Sequence, residues 1–272
     1  IEYFSIIQRE IKEPIIQSYV NEKRSFINSL KGHYVKSGPS GAPTRGKTEV
    51  LPTGKNFYSI DSRGLPTESA WIVGSQSASQ IIDLYKQEHG QDLKNLAISV
   101  WATSTMRNGG EDICQILYLL GVKPIWDGPS RRVIDLEIIP LSILNRPRVD
   151  VTLRISGMFR DAFPQLISLT HKAISLVSNL DEDVNLNPIL DSFKNNKSLN
   201  RIFGSAPGSY GAGLQELISN SSWDNNNDFA ESYLNWSKWI YSDTNEPIEN
   251  KKELENVLKN IQLVIHNQDN KE

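Results

Sequence analysis

The sequence is poor in the residues that most often announce a function. Its one cysteine, Cys114, excludes an internal disulfide framework and fits a reducing compartment. No apolar run approaches the roughly 20 residues that a transmembrane helix requires. Positive charge is not in excess: 29 Lys+Arg against 32 Asp+Glu give a net charge of −3. With no concentrated basic face there is little counterion release to drive binding, which argues against a general nucleic-acid partner. The four histidines, His33, His89, His171 and His266, are scattered without metal-ligand spacing. No G-x-S-x-G motif or visible triad offers a nucleophile. A start at Ile1, without a charged n-region or cleavage site, reads as an internal fragment rather than a secreted chain.

What the 272 residues do contain is ordinary globular material, 38% hydrophobic and 22% charged. Ile15, Ile16, Tyr19, Val20, Phe26, Ile27 and Leu30 fall at mostly three- and four-residue spacings and predict a helix ending near Gly32. Residues 38–61 are dense in Gly, Pro, Ser and Thr and read as an irregular loop, its far end pinned by Phe57, Tyr58 and Ile60. Pro66-Thr67-Glu68 opens a second helix that ends near Gly90. A buried strand is expected at 96–102, a helix at 110–120 and a short strand at 122–126, with two more strands at 133–139 and 149–155. This alternation predicts an α/β fold, an open and mainly parallel sheet with flanking helices. A mainly helical section follows: 162–180 with Pro164 in its first turn, a helix from Leu214, an aromatic-rich helix at 229–241, and a last helix at 251–265 before a frayed tail. Three sections result, at 1–65, 66–161 and 162–272.

Three constellations bear on chemistry. Gly41-Ala-Pro-Thr-Arg-Gly46-Lys47-Thr48 satisfies the P-loop pattern, but no core strand precedes it. Pro52 and Gly54 oppose the helix that must follow, and Pro43 removes an amide, so no nucleotide site is expected. The second is a rim. If the strands at 96–102, 122–126 and 149–155 run parallel, Arg107, Glu111, Asp112, Asp127, Arg160 and Asp161 follow their carboxyl ends, where open α/β sheets bind ligands. Glu111 and Asp112 equally suit a helix N-terminus, and the arginines equally suit pairing with neighbouring acids. The third is the glycine-rich turn 204–213, where amides near Ser205, Gly208 and Gly211 and the ring of Tyr210 could meet an anionic or carbonyl-bearing ligand. Close backbone packing explains such glycines equally well. Cys114 reads as a small buried hydrophobe, His171 as a hydrogen-bonded structural histidine, and the Trp/Tyr cluster at 233–241 as core.

Four long strings add a resemblance. KSGPSGAPTRGKTEVLPTGKNFYSIDSRGLPT (36–67), SVWATSTMRNGGEDICQILYLLGVKPIWD (99–127), RPRVDVTLRISGMFRDAFPQLISL (146–169) and RIFGSAPGSYGAGLQELI (201–218) resemble the large subunits of ATP-dependent cobaltochelatases. The related magnesium-chelatase H subunits look similar in outline. The resemblance implies a large cytoplasmic subunit that binds a tetrapyrrole, with ATP hydrolysed by AAA+ ATPase partners and adaptor subunits. It implies cobalt(II) as the substrate metal and hydrogenobyrinic acid a,c-diamide, a corrin, as its acceptor; the magnesium alternative is Mg2+ and protoporphyrin IX, and a non-catalytic tetrapyrrole-binding paralogue is a further alternative. Substrate contacts would then come from Arg107, Arg160, Ser205, Gly208, Tyr210 and Gly211, and proton acceptors from Glu111, Asp112 or Asp161. The family's GTHG-type stretch with nearby Glu is missing here, so the metal ligands are unassigned and the piece alone is expected to be inactive.

Overall fold

The computed structural model describes residues 2–38, 43, 48–57, 62–128, 130–196, 198–243 and 246–267. The P-loop match, Tyr58, Ile60 and the tail from 268 lie outside these residues, apart from Pro43 and Thr48 at the match. The chain divides into two compact units, residues 1–61 with 106–109, and residues 62–105 with 110–272.

In the first unit, α1 (Glu2–Ile7) runs through a π-helical turn at Gln8–Lys12 into α2 (Glu13–Leu30). The short strands β1 (Ser37–Gly38) and β2 (Asn56–Phe57) pair in parallel. Residues 53–54 are tied to α2: Thr53 N donates to Ser18 Oγ at 2.8 Å, and Ser25 Oγ to Gly54 O at 2.6 Å. Gly54 is required there, since a Cβ would fall 2.5 Å from the Asn21 carbonyl carbon. The apolar stripe predicted for α2 forms a helix but stays in solvent, with Tyr19 at 71% and Leu30 at 73% exposure. Periodicity specifies the helix, whereas burial needs an opposing surface.

The second unit begins with α3 (Glu68–His89), whose N-cap Thr67 accepts from Ala70 N and whose left-handed C-cap is Gly90. Then come β3 (Asn95–Val100), α4 (Ala102–Asn108), α5 (Glu111–Leu120), β4 (Val122–Trp126), β5 (Val133–Ile138), α6 (Leu141–Leu144), β6 (Asp150–Ile155), α7 (Gly157–Ala162), α8 (Pro164–Ser178), α9 (Pro188–Asn196) and β7 (Ile202–Gly204). The chain continues through α10 (Gln215–Asn220), α11 (Asn226–Ser237), β8 (Trp239–Ile240), β9 (Ile248–Glu249), α12 (Lys251–Leu258) and β10 (Leu263–Ile265). Six strands make one sheet in the order β10-β3-β6-β7-β8-β9, parallel from β10 to β7 and antiparallel beyond. The α/β fold with a mainly parallel sheet and flanking helices is therefore present.

The strand at 122–126 differs from expectation. It leaves the main sheet and pairs antiparallel with β5. The connection 127–132 is too short for a parallel crossover, which takes a dozen or more residues. Asp127 closes it by accepting from Ser130 N at 3.0 Å, and Arg131 takes a left-handed φ of 53°. The two helices expected at 229–241 and 251–265 are also shorter. Their ends become β8 and β10, because Trp239–Ile240 and Leu263–Ile265 find open strand edges. Gln262 fixes the second switch, its Oε1 accepting from Lys94 N and Asn95 N at 2.7 and 3.0 Å.

The core lies between the sheet and helices α3, α5 and α8, with Ile113, Leu117, Val151, Phe159, Phe163 and Ile174 almost fully buried. Cys114 is buried among them, and burial pushes its thiol pKa well up. Gly74 lets α3 approach α5 closely, since a Cβ there would come 2.6 Å from Glu111 O. Buried arginines brace the layers. Arg148 spends all five N–H groups, on Glu182 twice and on the carbonyls of Leu120, Gly121 and Ile139. Arg201 makes a bidentate pair with Asp150 at 2.8 and 2.9 Å.

Candidate functional site

Parallel pairing aligns Val100 with Ile155 and Ile155 with Gly204, so β3, β6 and β7 end together on one rim. Chain direction then dictates what collects there. Ser156 follows β6, donates its amide to Val100 O at 3.0 Å, and caps α7 through Phe159 N at 3.2 Å. One turn later come Arg160 and Asp161. After β7 comes the glycine-rich segment 205–213, and the two meet.

Arg160 is nine-tenths buried and organises the contact. Its Nη1 donates to Ala206 O at 2.6 Å, Ser205 O at 3.2 Å, Ser209 O at 3.3 Å and Ser205 Oγ at 3.4 Å. Nε and Nη2 reach Asp161 Oδ1 at 2.6 Å and Oδ2 at 2.9 Å. The Tyr210 hydroxyl donates to Asp161 Oδ2 at 2.9 Å, and its ring lies 5.6 Å from the Arg160 guanidinium carbon. Further donors hold the segment from below: Tyr241 Oη to Ser205 O, Arg154 Nη2 to Gly211 O at 2.7 Å, and Ser232 Oγ to Gly213 O at 2.6 Å. The carbonyls are thus drawn into the body while Tyr210, 59% exposed, stands outside. Positive φ at Gly208, Gly211 and Gly213 permits this path.

The electrostatics follow from the geometry. The Arg160 hydrogen bond, then that of Tyr210, lowers the Asp161 pKa, while the same Asp161 contact raises that of the Tyr210 phenol. Asp161 is therefore a persistent anion and a weak proton acceptor. A depressed carboxylate pKa contributes stability above the unfolded value and loses it as pH falls through the folded value. The Tyr210–Asp161 latch is expected to persist at neutral pH and open only below the ordinary aspartate range of about 3.9. A carboxyl-carbon NMR titration should place the Asp161 midpoint under that value and move it upward in Tyr210→Phe; an unchanged midpoint would show that the phenol does not stabilise the anion.

The other expected residues are placed differently. Asp112 is buried, accepting from Asn267 Nδ2 at 2.7 Å and Ser104 Oγ at 3.3 Å. Glu111 begins α5 and is half-buried. Arg107 lies in the last turn of α4, among residues 106–109 that group with the first unit, and is exposed. Asp127 turns the β4–β5 hairpin instead of following a strand of the parallel sheet, because β4 is not in that sheet. His171 Nδ1 approaches Asp243 Oδ1 at 3.4 Å. Arg154, Gly157 and Tyr241 support the rim without having been expected there. An arginine inside the apolar run 149–155 was the one available signal. Among the described residues no group of three or more His, Cys, Asp or Glu is placed to hold a metal ion, and no helix is long and apolar enough to cross a membrane.

A mostly parallel sheet flanked by helices, with a braced glycine-rich segment at its carboxyl rim, defines an α/β architecture. Residues 2–272 match the CobN/Magnesium Chelatase family profile, and the chain belongs to that family. It is 46% identical to the aerobic cobaltochelatase subunit CobN of Pseudomonas aeruginosa over 91% of this chain and 21% of that protein. The magnesium-chelatase H subunit of Chlorobaculum parvum is 28% identical over 98% of this chain and 22% of its own length. The solved catalytic subunit of cobaltochelatase from Mycobacterium tuberculosis superposes with a TM-score of 0.86 at 39% identity, covering 97% of this chain and 23% of that one. The chain thus spans about a fifth of the length of these relatives.

Proposed function

We propose that these residues serve as part of the tetrapyrrole-binding large subunit of a cobaltochelatase. The reaction is insertion of cobalt(II) into hydrogenobyrinic acid a,c-diamide, on the route to cobalamin. ATP is hydrolysed by partner AAA+ ATPase subunits acting with adaptor subunits, all cytoplasmic, and these residues hold no nucleotide. The observation that carries the reading is the gap between 46% identity to the cobalt-type subunit and 28% to the magnesium-type one.

In this reading the rim forms one wall of the macrocycle pocket. Tyr210 offers its ring, and Ser205, Gly208 and Gly211 the backbone platform. Arg160 shapes the platform. Metal insertion releases protons from ring nitrogens and needs ligands that exchange. Glu111 suits the proton acceptor better than buried Asp112 or the anion-locked Asp161. Taken alone, residues 1–272 are inactive in this scheme, since the metal ligands lie elsewhere.

The test is insertion of cobalt(II) into the corrin diamide by the full-length polypeptide with its partners. Wild type is expected to turn over with ATP, and Tyr210→Ala to lose about tenfold in kcat/KM. Failure to insert cobalt, or insertion of magnesium into protoporphyrin instead, overturns the assignment.

A further inference from the structure

The β4–β5 hairpin leaves a groove against the start of α3. Because these two strands stand outside the main sheet, only their inward face is buried, with Pro124 on β4 and Leu136 on β5. Strand alternation puts Lys123, Ile125 and Glu137 on the opposite, exposed face. α3 brings Glu68, Trp71 and Ile72 alongside them, and the groove between measures about 400 Å³. Its walls are fixed. Trp126 Nε1 donates to Pro66 O at 2.8 Å, tying the end of β4 to the start of α3, and the Trp71 ring meets Tyr118 edge-on at 5.8 Å. Ile72 and Ile125 nevertheless stay 59% and 37% exposed. The charges are Glu68 and Glu137 against Lys123, and among the described residues neither carboxylate has a hydrogen bond or an ion pair.

We propose that this groove docks a segment of a partner subunit in which an aliphatic or aromatic side chain lies between lysines or arginines. This rests on the chelatase reading above and names a surface through which the ATP-hydrolysing partners engage the chain. A buried apolar anchor between fixed indoles supplies affinity, and charge complementarity supplies register and steering. Two carboxylates against one ammonium leave the balance negative, so a basic segment is attracted and an acidic one repelled. None of Arg160, Asp161 and Tyr210 lines the groove, so docking here leaves the rim open.

The experiment titrates the separately purified ATPase and adaptor subunits, with ATP, into the full-length polypeptide and reads cobalt insertion. The double variant Glu68→Gln/Glu137→Gln and the single variant Ile72→Asp are each expected to raise the partner concentration for half-maximal insertion about tenfold. Corrin affinity and the rate at saturating partner should not change. Added salt should raise the half-maximal concentration more for wild type than for the double variant, because it screens charges on a surface. Unchanged half-maximal concentrations in both variants overturn the proposal, as does a loss that follows corrin affinity. Maleimide labelling of Lys123→Cys in the full-length polypeptide, read by peptide mass spectrometry, identifies the occupant. Labelling is expected to be fast alone and slowed by the partners. Resistance to labelling without partners would show the groove filled by the same polypeptide and overturn the proposal. If wild type inserts no cobalt, the chelatase reading falls and this inference with it; insertion with variants that behave as wild type sinks this inference alone.

Discussion

Arg148→Ala is expected to destabilise the second unit by about 3–5 kcal/mol, the range for removing one partner of a buried ion pair. Arg148 is fully buried, and each of its five N–H groups has an acceptor. Truncation would take these donors from the carbonyls of Leu120 and Ile139 and the cation from the Glu182 carboxylate, whereas Gly121 O keeps Ile139 N at 2.9 Å and Glu182 keeps Asn187 Nδ2 at 2.9 Å. An unmade bond to a buried group costs more than a made one contributes. Arg148→Lys should recover only part of the loss, because an ammonium cannot reproduce the planar fork. Gly121 belongs to the same device: it sits at φ 77°, and a Cβ there would overlap Arg148 Nη1. Urea unfolding read by tryptophan fluorescence measures the effect. A midpoint for Arg148→Ala indistinguishable from wild type would mean that the network contributes nothing net.

On the function proposed above, Gly157→Ala is expected to reduce cobalt insertion by the full-length polypeptide about 100-fold, the scale reached when a positioning error of about 1 Å enters a site. Gly157 opens α7 with ordinary backbone angles, so alanine suits the helix itself. Its new methyl, however, would overlap Ser209 O and lie 2.9 Å from Tyr210 Cδ1. The backbone of the glycine-rich segment must then move, and Tyr210 with it. Thermal stability should change far less than turnover. Wild-type kinetics in this variant would show that the segment does not position the substrate.

Local signals in the sequence were dependable where one residue settles the matter. Thr67 and Gly90 bound α3, Gly121 ends α5, and Pro164 starts α8, each by side-chain or φ chemistry that needs no distant partner. The apolar runs of β3 and β6 were also legible as strands, but the place of β6 in the sheet was left open, and its parallel pairing with β3 was set by the tertiary structure. The hairpin of β4 and β5 was not legible in the same way, although the short connection 127–132 carried the signal. The strands β8 and β10 were hidden because each is an apolar end of a helical pattern, and only an available sheet edge makes it extended.

The candidate site divides along the same line. Arg160 and Asp161 stood out by following an expected strand, Ser205 and Tyr210 by lying in a glycine-rich turn before a helix, and all four meet. Their roles were not legible. Whether an arginine faces a ligand or its own carbonyls depends on a chain segment 45 residues away folding back onto it. The sequence by itself determined the helix boundaries, the apolar runs, the glycines that allow left-handed turns, and the family. Tertiary structure alone decided which strands share a sheet and which arginines are interior braces. Caps and propensities act within one turn of chain, whereas desolvation and hydrogen-bond satisfaction are settled only when distant segments exclude water from one another.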